Sequence, residues 1–186
     1  PVTAIPADVS EPGRSRLHRL SWVAVLVVGV VAYLVVLRTA VATQNVNFIP
    51  SLLLLGSAVV PGTVLTFAAT GGRRIVVSSG LIALVAVLGG IIGTVAAGTL
   101  EYDALHRLGA LPMLFVGIIE EAAKLVVPLL VLLLSRYRGA AAGVVIGVAS
   151  GMGFATLETM GYGFTALLKS GTLSALDSTL LLRALL

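Results

Sequence analysis

Apolar residues run through this chain in long stretches broken by short polar stations, and the spacing of the stations predicts membrane-spanning helices. Five stretches, Ser21 to Leu37, Ser51 to Ala69, Ile75 to about Leu100, Leu111 to Leu134 and Gly139 to about Ala166, are each long enough to cross a hydrocarbon core, which takes roughly 17 to 25 residues. A sixth stretch begins near Ala175 and continues to Leu186. The predicted fold is therefore an all-α polytopic transmembrane bundle over residues 21–186, with five complete spans and the start of a sixth. Residues 1–20 hold Pro1, Pro6 and Pro12 and a basic cluster of Arg14, Arg16 and Arg19, and read as a polar tail. A secretory signal peptide is the competing reading of 21–37, with Ala40-Val41-Ala42 as a cleavage-like triplet. The apolar stretch is longer than such a peptide uses, and Arg38 intervenes. The chain opens on Pro1 and closes inside an apolar segment, so it reads as a piece of a longer protein.

The polar stations set the orientation. One side collects Arg14, Arg16, Arg19, Arg73, Arg74, Arg136 and Arg138, and the other only Arg38, Arg107 and Lys169. Basic short loops stay cytoplasmic, which predicts a multi-pass plasma-membrane protein with a cytoplasmic N-terminus. Between the third and fourth spans the run Glu101-Tyr102-Asp103-Ala104-Leu105-His106-Arg107 reads as an outer loop, and Pro112 falls in the first turn of the next helix. Composition agrees: 58% of residues are hydrophobic and 11% charged, with a mean hydropathy of +1.11. Soluble domains carry about 25% charged residues. With no cysteine the chain has no thiol nucleophile and no thiolate metal site. No basic face interleaved with aromatics suggests nucleic acid, and no H-E-x-x-H, P-loop, G-x-S-x-G or dinucleotide fingerprint is present.

What breaks the pattern is Glu120-Glu121-Ala122-Ala123-Lys124, set inside the fourth span. Neither flank, Ala110 to Ile119 or Leu125 to Leu134, crosses a bilayer by itself, so the charges are predicted to lie within the membrane. Each costs roughly 2.5–3.5 kcal/mol there, so a functional reason is the default. Glu120 lies about nine residues, roughly 13 Å, below the outer edge of its span, and Glu158 on the fifth span lies about eight residues, roughly 12 Å, below its own. Two carboxylates on separate helices at one depth predict a shared site. Gly147, Gly151, Phe154 and Glu158 fall on one helical stripe, and Gly139, Gly143, Gly147, Gly151 and Ala155 recur at every fourth position. Such spacing predicts close helix approach, with Glu158 turned to the interior or to a wet crevice. Glu120 precedes Lys124 by four, the favourable order for an ion pair. Arg183 in the sixth span reaches the same depth. The two histidines are weaker candidates: His18 lies in the basic tail, and His106 could join Glu101 and Asp103 in a metal site of the outer loop.

At this point the residues resemble a known family. Glu120-Glu121-Ala122-Ala123-Lys124 resembles the E-E-x-x-K motif of the PrsW intramembrane proteases, and Gly151-Met152-Gly153-Phe154-Ala155-Thr156-Leu157-Glu158 resembles its G-x-G-F-A-x-x-E motif. That family is similar to the CAAX prenyl endopeptidases and bacteriocin-processing proteases. The resemblance covers about residues 75–186, and Arg183-Ala184-Leu185-Leu186 is similar to the approach to a third motif that supplies a histidine. It implies Glu120 as general base for water, Glu121 in support, Glu158 as partner and Lys124 orienting the pair, with Phe154 and Arg183 beside them. It implies a membrane-anchored protein substrate cut near the outer face, with an anti-sigma factor as precedent. Family members are described as metalloproteases; Zn²⁺ and a metal-free glutamate both stay open. Two rivals use the same residues: a proton- or ion-coupled carrier with Glu120, Glu158 and Lys124 as relay, and a noncatalytic scaffold whose charges only specify packing.

Overall fold

The computed structural model describes residues 20–70, 77–109, 113–135 and 137–185. Helix α1 spans Ser21–Thr43, a 3₁₀ turn Val46–Phe48 follows, and α2 spans Ile49–Thr70. Then come α3 (Ser79–Leu108), α4 (Met113–Leu134), α5 (Ala140–Ser170) and α6 (Leu173–Leu185). No strand occurs among the described residues. Four segments, Ser21–Thr43, Val46–Thr70, Ser79–Leu108 and Ala140–Ser170, are long and apolar enough to cross a membrane. The chain is thus an all-helical, multi-pass membrane protein. Helix α4 has 22 residues, about 33 Å, and differs from those four in carrying Glu120, Glu121 and Lys124. The arginine clusters at 14–19 and 73–74, Arg136 and the first-turn position of Pro112 lie outside the described residues.

The stretch from Glu101 to Arg107, expected as a loop, is helix. Helix α3 starts from a cap in which the Ser78 hydroxyl accepts from the Leu81 N–H, and continues unbroken to Leu108. Gly109 stops it, with φ 71° and its N–H donating to the Leu105 carbonyl. A left-handed residue after the last turn is a common helix stop, and glycine adopts it at least cost. His106 and Arg107 in the last turn complement the helix dipole. Polarity alone made this stretch read as loop, whereas the chain stop lies two turns further on. Gly171 ends α5 in the same way, at φ 69°.

Helix α5 is the centre of the bundle and packs on α2, α3, α4 and α6. One buried cluster joins α3, α4 and α5 through Ile82, Val85, Val127, Ala142, Ile146 and Ala149. A second joins α1, α2 and α6 through Ala40, Leu52, Leu53, Leu176 and Leu180. A third, Ala97, Ala123 and Phe154, sits beneath the charged turn of α4. The outward faces keep their aliphatics uncovered, with Val28 67% and Leu133 68% exposed. Lipid satisfies such faces, and the helical ladder closes most backbone polar groups of the described spans, as hydrocarbon demands.

Helices α3 and α5 run parallel: Gly89 faces Ser150 and Gly93 faces Phe154 one turn on. Their backbones nearly touch, since a Cβ on Gly153 would run into the Ala86 carbonyl, and one on Gly90 would lie 2.8 Å from the Gly153 oxygen. This corrects the expected stripe. A Cβ on Gly139, Gly143, Gly147 or Gly151 would meet nothing within 4 Å. The face of α5 that admits α3 is instead Ser150, Gly153 and Phe154, which a period-four count misses by about 100°. Gly153→Ala is expected to cost about 1–3 kcal/mol by forcing α3 and α5 apart, while Gly151→Ala changes stability by less than about 1 kcal/mol. Unfolding midpoints of the two variants in detergent micelles check this, and equal midpoints would refute the assigned face.

Candidate active site

The charged turn of α4 lies against both α3 and α5. A Cβ on Gly93 would stand 3.5 Å from the Ala123 carbonyl, and the fully buried Ser150 of α5 donates its hydroxyl proton to the Lys124 carbonyl at 2.8 Å. The Lys124 ammonium lies 4.8 Å above the Phe154 ring. From there it pairs with Glu121, three residues back, at 2.5 Å. The expected Glu120–Lys124 pair therefore does not form as a contact. Phe154, itself 1% exposed, draws the cation over its face by cation–π attraction, and Glu121, 72% exposed, follows it outward. Glu120 is left on the inner side of the turn, within electrostatic reach of Glu158, Glu101, Lys124 and Arg183. It has no hydrogen bond or ion pair among the described residues.

Arg183 of α6 meets Glu158 of α5, with guanidinium nitrogen and carboxylate oxygen 2.8 Å apart. Its Nε donates to the Thr159 hydroxyl at 3.2 Å, and its guanidinium lies 4.2 Å above the Tyr162 ring. An arginine in a membrane helix could instead reach along its stem toward the interface. It does not, because α5 engages it with three groups at once. The Glu158 and Arg183 side chains keep only 18% and 28% of their exposure. Glu120, Glu158, Lys124, Phe154 and Arg183 are thus brought to one place, and Glu121 stands at its outer edge.

Two residues of this cluster escaped the sequence reading. Glu101 lies within electrostatic reach of both Glu158 and Glu120. It is reached only because α3 continues as helix, and the signal was present: Gly89, Gly93, Ala97 and Glu101 recur at every fourth residue. Tyr162 follows Glu158 by one turn and lies within reach of Glu158, Glu120, Glu101 and Arg183. Four helices therefore contribute ionisable side chains: Glu101 from α3, Glu120 and Lys124 from α4, Glu158 from α5 and Arg183 from α6.

A catalytic zinc ion takes three protein ligands, chosen from imidazole, thiolate and carboxylate. Among the described residues no three such side chains are gathered for a metal. The available donors are carboxylates alone, and Glu158 is already engaged by Arg183. His106 stands apart, its ring 4.0 Å from that of Tyr102 and its Nδ1 3.1 Å from the Tyr102 carbonyl. It forms no loop site with Glu101 and Asp103. The described residues do not fit a zinc centre. Chemically, the cluster offers an unpaired carboxylate able to take a proton, two fixed cations able to face a developing negative charge, and an uncovered glycine stripe on α5 running up to Glu158.

One family model, described as the PrsW family of intramembrane metalloproteases, matches residues 60–186, well over half of the chain. No curated protein and no solved structure matches it.

Proposed function

Because the chain belongs to the PrsW family of intramembrane metalloproteases, we propose that it cuts a membrane-anchored protein by attack of water on a peptide carbonyl, with Glu120 as the general base. What supports this reading is that Glu120 lies within electrostatic reach of Glu158, Glu101 and Arg183, which come from three other helices. Glu120 takes one proton from water as its oxygen bonds to the carbonyl carbon. The oxyanion that forms faces the Arg183 and Lys124 cations, an electrostatic contribution of the oxyanion-hole kind. Collapse breaks the carbon–nitrogen bond, and the proton held by Glu120 passes to the leaving amine. Glu158, fixed by Arg183, stands beside the base as its partner carboxylate. No step is routed through a metal.

The same reading takes α4 as a fifth crossing and α6 as the start of a sixth. Parallel packing of α3 and α5 supports it, since α4 then returns between them and contacts both. We place residues 1–20 in the cytoplasm, the protein in the plasma membrane and the site in the outer half of the bilayer. A substrate with one transmembrane segment, of the anti-sigma-factor kind, would be cut near its outer end.

The test uses the full-length protein in proteoliposomes with single-span substrates tagged at both ends, and mass spectrometry of the products. Cuts within the outer third of the substrate span are expected. Cuts confined to the soluble part of the substrate, or none by well-folded enzyme, would overturn the reading. Glu121→Gln is expected to keep kcat within about tenfold of wild type, because Glu121 lies outward and serves Lys124 alone. A loss as large as that of a true base would move the chemistry one residue along.

A further inference from the structure

Pro128 lies inside α4, four residues after Lys124. Proline has no N–H, so the Lys124 carbonyl lacks its helical donor. In hydrocarbon no water replaces that donor, and an unmet carbonyl is costly. The Ser150 hydroxyl of α5 fills the gap at 2.8 Å. The commoner partner of a serine or threonine hydroxyl inside these helices is a carbonyl of its own helix. Ser57, Thr63, Thr66 and Thr156 each donate to the carbonyl four residues back in their own helix, and Ser150 crosses to α4 instead. A third helix makes room for the crossing: any Cβ on Gly89 of α3 would collide with the Ser150 hydroxyl oxygen. Pro128, Ser150 and Gly89, on three helices, thus converge on one hydrogen bond to the backbone of the charged turn. Ser150 precedes Glu158 by eight residues on the same helix, about 12 Å along the axis, so the bond ties the turn that carries Glu120 to the helix that carries Glu158.

We propose that Ser150 is a positioning residue for the glutamate site. By capping the carbonyl that Pro128 leaves open, it sets the height and rotation of the turn that carries Glu120 relative to the helix that carries Glu158. The inference rests on the protease reading for its catalytic consequence, while the hydrogen bond stands on geometry alone.

A double-mutant cycle in the full-length protein tests it. S150A, P128A and S150A/P128A are compared with wild type for kcat and KM on one doubly tagged single-span substrate in proteoliposomes, and for the unfolding midpoint in detergent. P128L takes the place of P128A should the smaller side chain prevent folding. S150A is expected to lower kcat of the folded enzyme about tenfold with KM within about twofold, since orientation of the base acts on the chemical step. With the N–H at position 128 restored, the serine becomes dispensable, and adding S150A to P128A is expected to change kcat less than about twofold. An equal fall of kcat in both backgrounds, or none in either, overturns the proposal. A lowered midpoint with unchanged kcat also overturns it, since the serine would then be structural alone. If wild type cuts nothing, the protease reading and the catalytic role fall together. Non-additive midpoints would still report the hydrogen bond, and additive ones would remove it too.

Discussion

Glu120→Gln in the full-length protein is expected to lower kcat by about a thousandfold while leaving the unfolding midpoint within a degree or two of wild type. The size follows from the role: a positioned general base contributes on the order of 10² to 10⁴, and the amide keeps the shape of the carboxylate without its ability to take a proton. The silence of the midpoint follows from the structure. Glu121 holds Lys124 and Glu158 holds Arg183, so a glutamine at either place leaves a cation behind. Glu120 has no ion pair or hydrogen bond among the described residues, so its loss orphans nothing. Glu101 shares that freedom and stands within electrostatic reach of Glu120, which makes Glu101→Gln the decisive companion. A cleaving Glu120→Gln beside a dead but folded Glu101→Gln would transfer the base to α3. If both variants cut at the wild-type rate, neither Glu120 nor Glu101 would be the base.

Much of this cluster of side chains was legible in the linear chain, and the reason is that membrane insertion is a one-dimensional problem. Hydrocarbon length and charge cost act on each segment separately, so the apolar runs marked the helices, and Glu120, Glu158 and Arg183 stood out as charges inside them. What depended on the approach of one helix to another was not legible. The Glu120–Lys124 spacing favoured a pair that Phe154, thirty residues later in the chain, diverts. The period-four glycines of α5 suggested a packing face, but α3 lies against Gly153 instead. Glu101 was hidden by a different cause: charged residues at the end of a long helix look like loop until the stop at Gly109 is weighed. The diversion of Lys124 left Glu120 unpaired, and the extension of α3 added Glu101, so the two errors concealed the same feature of the site.

Removing one partner of the Glu158–Arg183 pair is expected to cost more stability than any other change to the cluster. Both side chains are under a third exposed, and breaking a buried pair by one substitution typically costs about 3–5 kcal/mol because the remaining charge keeps its desolvation penalty. Arg183→Met also takes the cation from the face of Tyr162 and the donor from Thr159. The consequence extends beyond the pair, because α6 has 13 residues and is held along its length by Leu176, Leu180 and then Arg183. With Arg183 gone its last turn is expected to exchange amide hydrogens faster, and kcat to fall about 10- to 100-fold as the oxyanion loses one facing cation. Glu158→Gln should destabilise less than Arg183→Met, since the amide still accepts a hydrogen bond from the guanidinium. The double variant Glu158→Gln/Arg183→Met then decides between a pair and two independent anchors. Coupled residues give a double that is milder than the sum by about 1–3 kcal/mol, readable as unfolding free energies in mixed micelles. Strict additivity would mean that Arg183 holds α6 through Tyr162 and Thr159, and that Glu158 is free to act as a carboxylate in its own right, which would bring it level with Glu120 and Glu101 as a candidate for the proton transfer.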